Sequence, residues 1–345
     1  MARISIEAVG LLSAMLTGWF APAAVAQSFD KATPSERLTI VVGYPPGAAY
    51  DVYARALSRH MGKHLAGSPT ISVQNMPGAG SLAAANFLYN TAPKDGSVIG
   101  MFSRGVAVQP LFDPDGIRFD PLKFNWLGSP STDVSFALAW HLSPIKTFQD
   151  MISRGMTMAA SGPGADATVF PNVLNALLGT NIKIVTGYQG AADSLLAIER
   201  GEVDGTAGIS WSTLASSRPE WLHSGKVSFL IQLATRGRDD LKDVPLVTSL
   251  AKTEVDRRVL ELIFSRQTMA YPFAAPPGVP SARVAALRRA FNQTIADPAY
   301  IDEAKRLGMS VNLVTGQEIQ EIIMQAFSAP PQIIQRARAA IATPR

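Results

Sequence analysis

"LTIVVGYPPGAAYD" (residues 38–51) joins an apolar run to the start of a helix. "LTIVV" (38–42) has the composition of a buried strand. From about Asp51 to Leu65, the apolar residues Tyr53, Leu57, Met61 and Leu65 recur every four positions, which predicts a helix. The turn between them holds Pro45, Pro46 and Gly47 but no lysine, arginine or histidine. The first turn of a helix has unpaired N–H groups and the positive end of the helix dipole. Glycine lets a ligand approach that backbone closely. The turn therefore offers an anion a site without a basic side chain.

The same unit recurs along the chain. "TISVQ" (70–74) and "VIGMF" (98–102) read as strands, with the helix "SLAAANFLYN" between them. "MTMAA" (156–160), "IKIVT" (182–186) and "VDGTAGI" (203–209) are three further strands, again separated by helices. Strands alternating with helices point to parallel α/β sheets, here in two lobes of similar design. From about Leu241 the chain reads as mainly helical. Pro280 is placed in a first helical turn, and Thr315 with Glu318 forms a capping box. Four glycine loops each precede a helix: "YPPGAAYD" (44–51), "NMPGAGS" (75–81), "SGPGADAT" (161–168) and "GYQGAADS" (187–194). Around one cleft they could hold a small carboxylate or phosphate; alternatively, they only make tight strand-to-helix turns.

Composition narrows the function. Of 345 residues, 47% are hydrophobic and 17% charged, enough apolar content for a large core. The net charge is +4, but the basic residues are scattered, which argues against nucleic acid as a partner. There is no cysteine, so thiol chemistry and cysteine metal sites are excluded. His60 and His64 share a helix face with no carboxylate in the same stretch, and they read as a solvated face rather than a metal site. Residues 1–26 have Arg3, an apolar stretch from Ala8 to Phe20 and Ala24-Val25-Ala26 before Gln27, the pattern of a cleaved secretory signal.

Two loops fit a dinucleotide fingerprint, Gly78-Ala79-Gly80 with Ala83 and Gly162-Pro163-Gly164 with Ala167. Neither has the acidic residue that should end the next strand, so no cofactor is expected. "GISWS" (208–212) has Ser212 where a nucleophile elbow needs glycine, which leaves a secreted serine hydrolase using Ser210 as the rival from another class.

The loops resemble those of the Bug-type periplasmic solute-binding proteins of tripartite tricarboxylate transporters. That family's outline, PPGG-x-x-D-x-x-AR, then EN-x-PGAGG, then PDG, is met by Pro45-Pro46-Gly47, Asp51, Ala54 and Arg55. It is met again by Asn75, Pro77-Gly78-Ala79-Gly80 and Asp95-Gly96. "GYQGAADSLLAIERGEVDG", "DDLKDVPLV" and "FAAPPGVPSARVAALRRAF" resemble later family segments. Ala48 and Ser81 stand where the family has glycine, and "SGPGADATVFP" lacks its histidine, which marks a divergent branch. The resemblance implies a two-lobed clamshell of the type II-like periplasmic-binding-protein kind, each lobe a mostly parallel sheet flanked by helices. Residues 27–130 plus 233–345 would form lobe 1 and 131–232 lobe 2. It also implies a non-enzymatic, monomeric periplasmic protein that delivers a small organic carboxylate to integral-membrane permease subunits. A sensor presenting ligand to a receptor would share the fold.

In the first lobe the expected ligand residues are Tyr44, Gly47, Ala48, Ala49 and Asp51, with Gly78, Ala79 and Gly80 opposite. Asp51 would repel an anion and is expected to cap its own loop. In the second lobe they are Ser161, Gly164, Ala165, Thr168, Tyr188, Gly190 and Asp204, whose hydroxyl and backbone groups could reach carboxylate oxygens. Tyr188 is alternatively a packed aromatic. Trp211 either walls the ligand or belongs to the core. Arg104, in "MFSRG" after a strand's carboxyl end, either forks onto a ligand carboxylate or pairs with an acid such as Asp113. No metal site is expected.

Overall fold

Alternate residues of one strand organise the first half of the core. In β1 (Arg37–Val42), Leu38, Ile40 and Val42 are fully buried on one face, against Tyr53, Ala54, Leu57 and Met61 of the helix Ala49–Met61. The computed structural model describes residues 37–161, 165–188 and 190–342. The expected signal segment, 1–26, and Gly164 lie outside the described residues.

The first sheet is built from β1, β2 (Thr70–Asn75), β3 (Val98–Met101), β4 (Asn125–Ser129), β10 (Phe273–Ala275) and β11 (Val314–Thr315), in the order β11-β4-β10-β3-β1-β2. The second is built from β5 (Ser135–Trp140), β6 (Met156–Ala159), β7 (Ile182–Val185), β8 (Gly205–Ser210) and β9 (Val227–Leu233), in the order β7-β6-β8-β5-β9. Both sheets contain the same parallel trio, β2-β1-β3 and β7-β6-β8, as the repeated strand–helix units predict. Beyond each trio the strands run antiparallel. The sheets are thus mixed rather than mostly parallel. Helices flank both sheets, giving a two-lobed α/β fold.

Pro280 differs from expectation, and the late region, mainly helical as expected, adds detail. Pro280 stands just before the helix Ser281–Ile295, at its cap, not inside its first turn. The region after Leu241 contributes two short strands, β10 and β11, to the first sheet. The late helices do not all follow the first sheet either. Phe264, which ends the helix Glu254–Phe264, packs on Phe170 of the helix Asp166–Val173, with ring centres 4.7 Å apart. The final helix, Pro331–Ile341, joins them. Arg336 pairs with Asp256 at 3.2 Å, and the Asn172 amide donates to the Ile341 carbonyl. A boundary at residue 233 therefore divides a shared apolar layer.

Gly205 tests the second sheet. It lies between β5 and β6, and a Cβ there would stand 1.9 Å from the Leu138 carbonyl oxygen, a backbone atom that cannot swing away. Gly205→Ala should lower the urea midpoint by the equivalent of about 2 kcal/mol or more. An unchanged midpoint would show that the β5–β8 ladder can open without cost.

Candidate functional site

The carboxyl ends of β1, β3, β6 and β8 face a cavity of about 820 Å³. Each of the four glycine loops supplies part of its wall: Tyr44 and Ala49, then Ala79 and Gly80, then Ser161 and Ala165, and last Gly190 with Ala191. The helices Ala49–Met61, Asp166–Val173 and Ala191–Glu199 all begin at this wall, so their free N–H ends lie around one space. Thr168 is buried in the same wall.

The second loop carries unusual backbone. Ala79 and Ser81 hold φ of 46° and 81°, a left-handed conformation that costs a side-chain-bearing residue roughly 1–2 kcal/mol. The Ser81 hydroxyl donates to the Gly43 carbonyl at 3.0 Å, fixing the second loop on the first. A Cβ on Gly43 would meet that hydroxyl at 2.4 Å, so glycine is required there by close approach. Where the family outline has glycine, Ser81 keeps the conformation and adds an anchor. Ala48, the other departure, has an ordinary φ of −68° and needs no glycine.

Asp51 does not line the cavity. Its carboxylate accepts from the Gly47 N–H at 2.9 Å, from Arg55 Nε at 2.8 Å and from the Asn75 amide at 2.8 Å. Burial pushes its pKa up, but these donors outweigh burial and hold it below the ordinary carboxylate value. Gly47, Ala48 and Gly78 do not line the cavity either, and Gly47 and Gly78 are exposed.

The charge at the wall comes from elsewhere. Arg104 follows β3 and is only 8% exposed. Its Nη2 donates to Asp166 Oδ2 at 2.9 Å and to the Ser135 hydroxyl at 3.2 Å. Its partner is thus Asp166, not Asp113. Arg266, also 8% exposed, places Nη2 2.9 Å from the other oxygen, Asp166 Oδ1, and lies over the Phe170 ring at 4.8 Å. Burial raises the Asp166 carboxyl, but Arg266 and Arg104 together hold it below its ordinary value. Burial would lower Arg104, but the charge and hydrogen bond of Asp166, together with Tyr50 and Asp133, more than reverse that; for Arg266, burial prevails and its pKa is lowered. Tyr50 braces the group. Its hydroxyl donates to the Ala270 carbonyl at 3.1 Å and accepts from the Arg104 N–H at 3.2 Å. Tyr44 stacks on Tyr50 with ring centres 4.3 Å apart, and Tyr271 meets Tyr50 edge-on at 5.0 Å.

Ser210 lines the cavity but serves as a helix cap. Its Oγ accepts from the Thr213 N–H at 3.3 Å and lies 3.1 Å from Ser212 Oγ. Ser212 in turn contacts buried Asp133 and the Tyr271 hydroxyl, so no histidine takes part.

Asp204, Trp211 and Tyr188 are not among the residues that line the cavity. Asp204 precedes β8, at the end of the sheet away from the cavity, where it accepts from Thr157 N–H and the Thr157 and Ser143 hydroxyls. Trp211 turns its ring under Arg238, 3.7 Å from the guanidinium, and packs near Phe136 and Phe229. Tyr188 packs on the apolar cluster of Leu195, Ile198 and Leu214. His60 and His64 face a neighbouring helix rather than solvent, against Glu303 at 2.6 Å and Asp297 at 3.0 Å. Among the described residues no His/Asp/Glu group is arranged to hold a metal.

Residues 53–338 match the model of the tripartite tricarboxylate transporter family receptor. The chain is 25% identical over 310 residues to a UPF0065 protein in the gbd 5′ region of Cupriavidus necator, covering 88% of both chains. Among solved structures, the periplasmic binding protein BugD aligns at TM-score 0.63 and 22% identity, over 88% of this chain and 97% of that one. MatC of Rhodopseudomonas palustris with bound malate aligns at TM-score 0.63 and 20% identity, over 89% of this chain and 99% of that one.

Asp51 offers a pH test. A carboxylate with a depressed folded pKa stabilises above its unfolded value, about 3.9, and that contribution is lost as pH falls through the folded value. Asp51→Asn should cost at least about 1 kcal/mol at neutral pH. The gap to wild type in thermal melts should shrink below about pH 4. A gap that is the same at neutral and acid pH would mean that shape, not charge, is what Asp51 supplies.

Proposed function

We propose that this chain, which belongs to the tripartite tricarboxylate transporter receptor family, captures a small organic carboxylate in the cavity between its sheets and delivers it to integral-membrane permease subunits. Export through a cleaved signal at residues 1–26 would place it in the periplasm. The observation that carries the reading is the pair of buried guanidiniums, Arg104 and Arg266, with the single carboxylate of Asp166 between them, in a wall that also gathers three helix starts. A guanidinium can grip a carboxylate with two parallel hydrogen bonds, and the helix ends add a favourable potential. The hydroxyls of Ser161 and Thr168 and the backbone of Ala49, Ala79, Gly80, Ala165 and Gly190 border the same space and supply further donors. Malate in MatC, a protein of the same fold, supports a carboxylate as the ligand class.

The test is a thermal-shift screen of mono-, di- and tricarboxylates and aromatic acids on residues 27–345. A specific ligand at about a hundred times its Kd should stabilise by about 2.7 kcal/mol. Arg104→Ala should then weaken that ligand by roughly 2–5 kcal/mol in calorimetry. Arg104→Lys should weaken it too, because the forked geometry is lost. Wild-type affinity in Arg104→Ala would leave the neutral loops as the whole anion site. A flat response across the acids would reject the carboxylate reading.

A further inference from the structure

The cavity wall carries an unequal set of charges. Arg104 and Arg266 face it with Asp166 between them, one carboxylate oxygen to each guanidinium. Asp113 and Arg338, of opposite sign, stand exposed at the rim. Tyr44, Tyr50 and Tyr271 stay neutral, since burial pushes each hydroxyl up. Asp133 lies behind Ser210 and Ser212 and does not border the space; burial pushes its carboxyl up as well, against the pull of Arg104. The inner wall is left with one uncompensated positive charge.

Arg266 is the incompletely satisfied member. It is buried, and its Nε has no hydrogen-bond partner among the described residues. Its Nη2 sits close to Asp166 Oδ1 without hydrogen-bond alignment. A buried donor left in that state has a strong preference for an acceptor. Asp166, with its side chain 26% accessible, meets part of the demand of both arginines.

The rest of the space is large and mixed in character, with hydroxyl and amide side chains such as Ser161, Asn172 and Thr213 and an apolar part. Beside the Tyr44–Tyr50 stack lie Ala49, Phe112, Val169 and Ile209. A volume of about 820 Å³ suits a drug-sized ligand and far exceeds that of a short diacid. A second ligand carboxylate near the two arginines would have to approach Asp166, which is unfavourable.

We propose that the cavity selects a monoanionic acid with an aromatic or bulky apolar body. Its one carboxylate sits on Arg104 and Arg266, its body lies along Tyr44 and Tyr50, and Asp166 is the residue that excludes dianions. This refines the carboxylate reading above and rests on it.

Calorimetry on wild type and Asp166→Asn decides it, with phenylacetate and 3-phenylpropionate against succinate, adipate and citrate. In wild type the better arylalkanoate should bind at least about tenfold tighter than any of the polyacids. In Asp166→Asn, with two uncompensated guanidiniums, the ratio of phenylacetate to adipate affinity should fall by about tenfold or more. Tighter binding of a polyacid by wild type, or an unchanged ratio in a folded Asp166→Asn, overturns the selectivity while leaving a carboxylate receptor. Binding of no acid from either set overturns the carboxylate reading itself, and the selectivity with it. If Asp166→Asn does not fold, the wild-type ratio decides alone, backed by Arg266→Gln, which should weaken phenylacetate about tenfold.

Discussion

One carboxylate holds the site together. Asp166 opens a helix that belongs to the second sheet, while Arg104 follows a strand of the first and Arg266 precedes β10 on the chain's return to it. A buried charge without a partner is strongly destabilising, so each member requires the others. That demand fixes more than the three side chains. Arg104 is aimed by Tyr50, whose hydroxyl ties its backbone to Ala270, next to Tyr271. Arg266 is held over Phe170, the same ring that packs on Phe264. The bridge and the apolar layer beneath it therefore set the separation of the two sheets' loops together.

The loops themselves are arranged by backbone. Ser81 locks the second glycine loop onto the first through Gly43, and Asp51 closes the first loop on its own N–H group. Two acids near helix starts thus take opposite roles. Asp51 meets Gly47, Arg55 and Asn75, all close by, and is removed from the cavity. Asp166 meets only distant arginines and stays at the wall. Strained φ values at Ala79 and Ser81 beside the cavity fit a segment whose geometry is over-determined by its surroundings.

Much of this was legible in the sequence, and the limits have physical causes. The six strands of the two parallel trios were found because each is a short apolar run and helical stretches separate them within each lobe, a local pattern. β10 was missed because three residues, "FAA", inside a Pro-rich stretch carry no periodicity, and its strand character comes from pairing with β3 and β4. The four loops were visible because glycine before a helix is a local signal, whereas their meeting around one cavity is a long-range property that the sequence reading left open. Asp204 went wrong on direction. It stands at the amino end of β8, and ligand sides of such sheets lie at carboxyl ends, a rule that placed Arg104 correctly. Asp166 sat inside a quoted loop, where nothing local distinguishes it from the other acids near helix starts. Arg266, in "SRQT", has no motif at all. Its place depends on a partner a hundred positions earlier in the chain, which single-sequence spacing does not encode.

An internal counter-ion also addresses a problem that a receptor faces and a storage protein does not. Two bare guanidiniums facing a cavity would repel each other and would hold any anion tightly, and a receptor must release its cargo. With Asp166 in place the arginines are already oriented, so less side-chain entropy is lost when a ligand arrives. The same carboxylate competes for their hydrogen bonds, so part of the ligand's gain is offset by contacts it disturbs. Affinity then depends on the fit of the ligand body as much as on its charge. A body of the proposed kind would meet Tyr44 and Tyr50 from the first sheet's loops and Val169 and Ile209 from the second's, so a ligand that contacts both sets would be held more firmly than one that reaches the arginines alone.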